Sequence, residues 1–290
     1  MQKKEMIVSN YCACFIDLLG QRNALSGQNL LPVTSNEEQQ AMFYDAVLNS
    51  VGAISRLQQQ AESFRFGASG EPEYVQHLQP EDREIYEKMT LAKSKQQRWS
   101  DGLVLYQSLD FTKFPCPMGS IADLFMQAGS LCLIGLASKQ PIRGGIEVSW
   151  GAELHDNELY GAVVANSYEL EGKIAKYPRI VVGEYAMKYL DENISQIIDG
   201  GDKLAQFNKD MAIMCKNMLA TDSDGQLIVD YLGDAFTAYV MHGKSHNLYN
   251  MARVFVCEQL EAHKANENIK LVERYELLLS YFDRNVPKNA

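Results

Sequence analysis

The sequence predicts a mixed fold of helices and strands, because short apolar segments alternate with longer segments of helical periodicity. Residues 6–17 are apolar on both faces, which is typical of a strand covered on both sides of a sheet. From residue 36 to about residue 60 the apolar residues instead recur at helical spacing. The alternation continues without an internal repeat or a long linker, which favours one domain with helical additions and leaves α/β and α+β open.

The other elements follow in order from the same patterns and from turn residues. Gly20 ends the first strand, and Ser35 is placed to cap the first helix. We expect a loop at 66–79, a charged helix at 80–96, a strand region at 98–109, an apolar helix at 120–139, a strand at 142–150, a turn at 153–158, a helix from 161 to about 176, a strand at 178–182, a helix at 183–196, a strand at 226–231, and helices at about 245–266 and 269–284.

The composition excludes several classes of protein. The net charge of -10 argues against a chain that coats nucleic acid or an anionic membrane, since both need a basic surface. The six cysteines form no CxxC pair, so we expect buried free thiols rather than a zinc site or disulfides. The first residues are too polar for a signal peptide, and we expect no run to reach the roughly 18 apolar residues of a membrane span. We therefore expect a cytoplasmic protein.

Two aspartates lie where predicted strands end. Asp17 stands in the segment FIDLLG, and Asp101 lies at the tip of a predicted hairpin in the segment SDGLVLY. Taken singly, Asp17 fits a helix cap and Asp101 fits a turn residue. Taken together, two carboxylates at strand ends suit magnesium or manganese bound with substrate phosphates, which predicts a triphosphate substrate. The sequence contains no GxxxxGK[ST] loop, so a P-loop nucleotide site is excluded.

Glycines mark two further positions. Gly144 and Gly145 lie inside a strand pattern, where they allow a helix or a second subunit to pack closely, and Arg143 beside them is a candidate phosphate ligand. Gly161 allows the chain to turn sharply into the helix that follows.

The order of these segments resembles the class III nucleotide cyclase catalytic domain. The segments are FIDLLG, SDGLVLY, RGGIEVSWG, ELYG before a helix ending in LE, and YPRIVV. Within that superfamily the chain looks most like the bacterial pyrimidine cyclases of the Pycsar antiphage system. The resemblance implies an α+β fold with a ferredoxin-like βαββαβ core sheet flanked by helices, a catalytic domain at 8–240 with a helical insertion at about 35–96, and a C-terminal helical extension at 241–290.

The resemblance also implies a two-metal site. Asp17 and Asp101 match the aspartates that hold two divalent cations, Mn²⁺ or Mg²⁺, and Leu18 matches the residue that lends a backbone carbonyl to one of them. One ion activates the ribose 3′-hydroxyl for attack on the α-phosphate, and the other binds the phosphate oxygens and the leaving pyrophosphate.

Three residues match the base-recognition positions of the family. They are Gln97, Glu158 and Leu159, the last as a backbone contact. Glutamine in place of the lysine of adenylate cyclases suits uracil or cytosine, with uracil preferred. The alternative is that Gln97 is a solvated helix residue and that Arg98 takes the role.

The helix after Gly161 departs from the family pattern NxxxR. Ala165 stands at the asparagine position, with Asn166 one residue away, and Glu169 stands at the arginine position. The remaining candidates to neutralise the triphosphate are Arg179, which is preferred and which we also expect to be catalytic, Arg143, Lys173 and Lys176.

The resemblance therefore predicts a lyase that converts UTP or CTP to the 3′,5′-cyclic monophosphate and pyrophosphate. It implies a homodimer with active sites at the interface, and a product that activates a downstream effector in antiviral defence. The alternatives are an adenylate or guanylate cyclase, and a degenerate nucleotide-binding sensor without catalysis.

Overall fold

A computed structural model describes residues 8–20, 36–66, 73–155, 157–240 and 245–287. The strands are β1 (Val8–Leu18), β2 (Lys95–Arg98), β3 (Gly102–Ser108), β4 (Ile142–His155), β5 (Glu158–Tyr160), β6 (Ile180–Val182), β7 (Leu219–Thr221) and β8 (Leu227–Val229). The α-helices are α1 (Glu37–Phe66), α2 (Pro80–Thr90), α3 (Pro117–Ala137), α4 (Ala162–Glu169), α5 (Glu184–Ser195), α6 (Lys203–Asn217), α7 (Asp234–Val240), α8 (Ser245–Ala265) and α9 (Ile269–Arg284). A 3₁₀ helix covers Glu73–His77, and a π-helical turn covers Leu170–Ile174.

The strands form one mixed sheet. Its order is β2-β3-β1-β4-β6-β8-β7, and β5 pairs with β4 beside this path. β1 lies between β3 and β4 and is antiparallel to both, whereas β4 and β6 are parallel. The prediction of an α+β fold is confirmed, and the apolar character of residues 6–17 agrees with the inner position of β1.

Both faces of the central strands are covered. Alternate residues of β1 point to opposite faces, so Cys12, Cys14 and Ile16 join a large hydrophobic cluster with α3. Ala13 and Phe15 join a smaller cluster with residues of α4 and β5 on the other face. Asp17 continues the second set, which places its side chain on the face covered by α4.

The strongly apolar helix α3 is the centre of the larger cluster. It is long and apolar enough to cross a membrane, which corrects the expectation that no segment reaches that length. However, 83% of its most apolar window is buried inside the fold. Its hydrophobicity is therefore explained by contacts with the sheet and with the surrounding helices.

The last two helices complete the same cluster. Phe255 of α8 and Leu278 of α9 are buried in it. The hydroxyl of Tyr281 donates to Asp230 Oδ1 at 2.7 Å and accepts from the backbone N–H of Leu232 at 3.1 Å, which fixes α9 to the chain after β8. The segments at 8–240 and 241–290 thus share one hydrophobic core.

Several element boundaries differ from the sequence expectations. The charged helix ends at Thr90 rather than at residue 96, because residues 95–98 pair with β3 and this pairing outweighs local helix propensity. The predicted turn at 153–158 overlaps the end of β4 and the start of β5. Asn36 caps α1, since its side-chain oxygen accepts from the N–H of Glu38 at 3.0 Å, and the predicted cap Ser35 lies outside the described residues. Neither α6, β7 nor α7 was predicted.

Candidate functional site

Asp17 and Asp101 lie side by side at one end of the sheet. Asp17 is paired across strands with Gly102 on one side and with Arg143 on the other. The backbone N–H of Leu18 donates to the backbone oxygen of Asp101 at 3.3 Å, which ties the β2–β3 turn to the end of β1. The hairpin expected around Asp101 is present, with Asp101 in the turn between β2 and β3.

The Asp17 carboxyl is in an environment that disfavours its charge. Burial is the main cause, and the negative charges of Glu171 and Asp101 add to it, so that the pKa of Asp17 rises to about 7 despite the opposing charge of Arg143. The ionised form of a carboxyl group in this environment is stabilised by any additional positive charge placed beside it.

Glu171 is the residue of this site that the sequence did not identify. It is only 2% exposed, and its carboxylate forms an ion pair with the Nε group of Arg143. The Nη2 group of Arg143 lies 3.9 Å from Asp17 Oδ2. A regular helix was expected here, and that pattern does not reveal which side chain a π-helical turn directs toward the sheet.

The close approach of this turn depends on Gly145. A Cβ atom at that position would lie 2.5 Å from the Cβ of Leu170 and 2.6 Å from the backbone oxygen of Ser167. The expectation that glycine here allows a helix to pack closely on the sheet is confirmed. Gly145 therefore brings Glu171 within reach of Arg143.

The acidic groups fit a cation site of the kind completed by a substrate. Within the described residues, no set of three or more His, Cys, Asp or Glu side chains is arranged to hold a metal ion. Two carboxylates are nevertheless the usual protein contribution to a magnesium ion that also binds substrate phosphates. Asp17 and Asp101 are the residues that would hold such an ion, and Leu18 follows Asp17 as the last residue of β1.

Gln97 and Glu158 line a separate cleft, whereas Leu159, the third predicted base-recognition residue, is buried beside it. The cleft has a volume of about 570 Å³, and its lining residues are Glu62, Gln96, Gln97, Arg98, Asn157, Glu158 and Tyr160. Gln97 lies on β2, so the interpretation of Gln97 as a solvated helix residue was wrong. Its Oε1 atom accepts from the backbone N–H of Leu159 at 2.9 Å, which joins β2 to β5.

The helix α4 begins at Gly161, as predicted. Gly161 has φ of +128°, and a Cβ atom there would lie 2.7 Å from the Cα of Gly151, so both conformation and space require glycine. Asn166 is half-buried on this helix. Glu169, at the position where the family pattern has arginine, is paired with Lys173.

Arg179 is not placed to neutralise a triphosphate, which corrects its assignment as the preferred cation. It is 1% exposed and forms ion pairs with Asp222 at 2.9 Å and with Asp224 at 2.6 Å. Its guanidinium also donates to the backbone oxygens of Ala175 at 3.1 Å and Ile174 at 2.7 Å. The guanidinium thus holds the chain before β6 to the loop between β7 and β8.

Arg143 lies beside Asp17 instead, as described above. Arg274 of α9 is half-buried, and its pKa is lowered by burial and by the positive charge of Arg143. The two guanidinium groups are therefore within electrostatic reach of each other.

The structure therefore divides the predicted site residues into separate groups. Asp17, Asp101 and Arg143 lie together, and Gln97, Glu158 and Leu159 lie together. Within the described ranges, no hydrogen bond or ion pair joins the first group to the second. Comparison with protein-family models gave no match to this chain, and a search of curated proteins found no significantly similar sequence.

Proposed function

We propose that this protein is a metal-dependent nucleotide cyclase of class III that acts on a pyrimidine nucleoside triphosphate. The observation that carries the proposal is the pair Asp17 and Asp101 at adjoining strand ends, with the pKa of Asp17 raised to about 7 by burial and by neighbouring carboxylates. This arrangement places several negative charges together, and among the described residues the guanidinium paired with Asp17 is that of Arg143.

The chemistry of the donors favours Mg²⁺ or Mn²⁺ with a phosphate ligand. When bound, such ions lower the pKa of the attacking 3′-hydroxyl and neutralise the phosphate oxygens. Asp17 and Asp101 would orient them, while Arg143 and Arg274 are the cations placed to attract the triphosphate. Neither aspartate needs to accept the proton of the hydroxyl.

The cleft at β2 and β5 favours recognition of a base edge. Because Gln97 Oε1 already accepts from Leu159, its Nε2 group is the part left to donate, and it has no acceptor in the described part of the chain. Glu158 can accept. One donor beside one acceptor is complementary to O4 and N3–H of uracil and to N3 and the exocyclic amine of cytosine. The same pair also matches N1 and the N6 amine of adenine and O6 and N1–H of guanine, so the choice of UTP and CTP as substrates rests on the resemblance.

The separation of the two groups supports a homodimer in which one copy supplies the metal ligands and the other the base contacts. Two equivalent sites then follow from twofold symmetry. The roles in antiviral defence, the effector activated by the product and the cytoplasmic location rest on the resemblance alone.

A mixture of Asp17→Ala and Glu158→Ala proteins tests this arrangement. Each variant is expected to be inactive alone, because each dimer carries the same defect twice. After random exchange about half the dimers are mixed, and each contains one intact site, so about a quarter of wild-type activity should return. Mass spectrometry verifies that mixed dimers form. An inactive mixture that contains them would contradict the shared site.

A nucleotide-binding sensor without catalysis is the second candidate. It is favoured by the internal ion pairs of Arg179 and by the pairing of Glu169 with Lys173, because neither position offers a cation to the transition state.

The deciding experiment incubates the purified protein with ATP, GTP, CTP or UTP and Mn²⁺ or Mg²⁺, followed by mass analysis. We expect cyclic UMP or cyclic CMP with pyrophosphate, and no product when EDTA is added. Cyclic AMP or cyclic GMP as the main product would support the purine alternatives. Binding of nucleotide without pyrophosphate release would support the sensor.

A further inference from the structure

Glu171 is a buried carboxylate that is not one of the proposed metal ligands. Its carboxylate is 2% exposed, so ionising it in that environment requires a compensating positive charge. The nearest such charge is the guanidinium of Arg143, through its Nε group. Burial raises the pKa of Glu171, and Arg143 opposes that effect.

Arg143 lies near two carboxylates, those of Glu171 and Asp17, but it is much closer to the first. It is in close contact with Glu171, whereas its Nη2 group remains 3.9 Å from Asp17 Oδ2, which is beyond hydrogen-bonding distance. A guanidinium that formed a two-bond pair with Asp17 would occupy the oxygen atoms that a cation needs. In the observed arrangement, Glu171 pairs with the arginine and also lies against the Asp17 carboxyl, so that no hydrogen bond from Arg143 covers the Asp17 oxygens.

The charge count supports the same division. When ionised, Asp17, Asp101 and Glu171 carry three negative charges. Arg143 is the cation that forms ion pairs with two of them in the described part of the chain, and its one positive charge leaves two negative charges to be balanced. One divalent cation matches that remainder. Without Glu171 only one negative charge remains unbalanced, and Asp17 becomes the carboxylate nearest to Arg143.

The local backbone conformation places Glu171 beside Arg143. The turn at Leu170–Ile174 is π-helical, a form found mostly as single turns within α-helices and frequently at functional sites. Gly145 on β4 gives this turn the space to approach the strand that carries Arg143.

We propose that Glu171 is a positioning residue that holds the guanidinium of Arg143 off Asp17, so that the Asp17 oxygens remain available to a divalent cation. This inference rests on the proposed function, because it takes Asp17 as a cation ligand. It assigns Glu171 no direct contact with the ion or with the nucleotide.

The test measures Mn²⁺ binding to the full-length protein without nucleotide, by the electron paramagnetic resonance signal of free Mn²⁺. Glu171→Gln is expected to weaken binding by about tenfold or more, since loss of a residue that orients a metal ligand typically has that effect. In Glu171→Gln/Arg143→Gln, the competing guanidinium is absent, and affinity should return to within about threefold of Arg143→Gln alone. Glu171→Asp keeps the charge and should lie between wild type and Glu171→Gln, and thermal unfolding verifies that each variant folds.

Each other outcome overturns the inference in a distinct way. If the double variant binds as weakly as Glu171→Gln, then Glu171 is itself a ligand. If Glu171→Gln binds Mn²⁺ like wild type, its carboxylate serves only to neutralise Arg143. If wild type itself binds no Mn²⁺, the proposed cation site fails and the inference fails with it, whereas the first two outcomes leave the proposed function intact.

Discussion

Asp17→Asn is expected to lower nucleotide turnover by about a thousandfold and, in the same protein, to stabilise the metal-free fold. The loss of turnover follows because cation catalysis is worth several kcal/mol in the transition state, and each 1.4 kcal/mol is about tenfold in rate. A residue that only served the structure would lower both properties when replaced.

The gain in stability follows from the raised pKa of Asp17. The folded state holds the proton up to about pH 7, whereas the unfolded chain releases it near the ordinary aspartate pKa of 3.8. Wild type therefore loses stability as the pH rises from about 4 to 7, and the full cost of the ionised carboxylate is present above pH 7. Because the Asp17 side chain is 22% exposed, solvent screening reduces this cost, and we expect a gain of about 1–2 kcal/mol in the variant at pH 8.

Urea unfolding in EDTA at pH 5 and pH 8 measures this effect. The difference between Asp17→Asn and wild type should be larger at pH 8, and Mn²⁺ should stabilise wild type more than the variant. Asp199→Asn, on an exposed loop, is the matched control and should change neither activity nor stability. An Asp17→Asn protein that is less stable than wild type at both pH values would contradict the assignment.

Arg179→Leu is expected to destabilise the fold by about 3–5 kcal/mol, because removal of one partner of a buried ion pair leaves a buried charge uncompensated. The charge concerned is that of Asp222, whose side chain is 1% exposed; its other cationic partner, Arg284 at 3.3 Å, is 49% exposed and compensates that charge only in part. Burial opposes ionisation of Asp222, but bonds from Tyr177, the backbone of Ser223 and Arg179 outweigh it and hold the pKa of Asp222 below its usual value.

The matched control is Arg253→Leu, which breaks the exposed pair between Arg253 and Asp283 at 2.8 Å. We expect that variant to lose less than about 1 kcal/mol by urea unfolding. If Arg179→Leu does not fold, Arg179→Lys keeps the charge without the planar fork and should still be less stable than wild type. An Arg179→Leu protein with wild-type stability and a raised KM for nucleotide would restore Arg179 to the triphosphate site.

The positions of Asp17 and Asp101 could be predicted because they depend on local signals. An apolar strand ending in FIDLLG and a Ser-Asp-Gly turn each fix a carboxylate near a strand end. Pairing of β1 with β3 then brings the two together. The glycine at 145 could be interpreted for the same reason, since a glycine within a strand pattern indicates close approach by a neighbouring element.

The environments of Arg179 and Glu171 could not be predicted, because they depend on partners distant in sequence. Asp222 and Asp224 lie in a segment for which the sequence indicated no element before residue 226, so nothing marked them as partners of Arg179. Glu171 reaches Arg143 only through a π-helical turn, and helical periodicity does not distinguish that turn from a regular helix. The secondary structure around Gln97 could not be predicted, because Lys and Gln favour a helix locally, whereas pairing with β3 makes the segment a strand.

The position of Tyr281 has a consequence for synthesis. Domains generally fold as units while the chain emerges from the ribosome. Here the sheet that bears Asp17 is complete in sequence by residue 229, yet Tyr281 must reach Asp230 and Leu232 before the core is closed. α3 itself is covered on that side by α8, so until residue 265 has emerged the nascent chain presents one of its most apolar segments to chaperones.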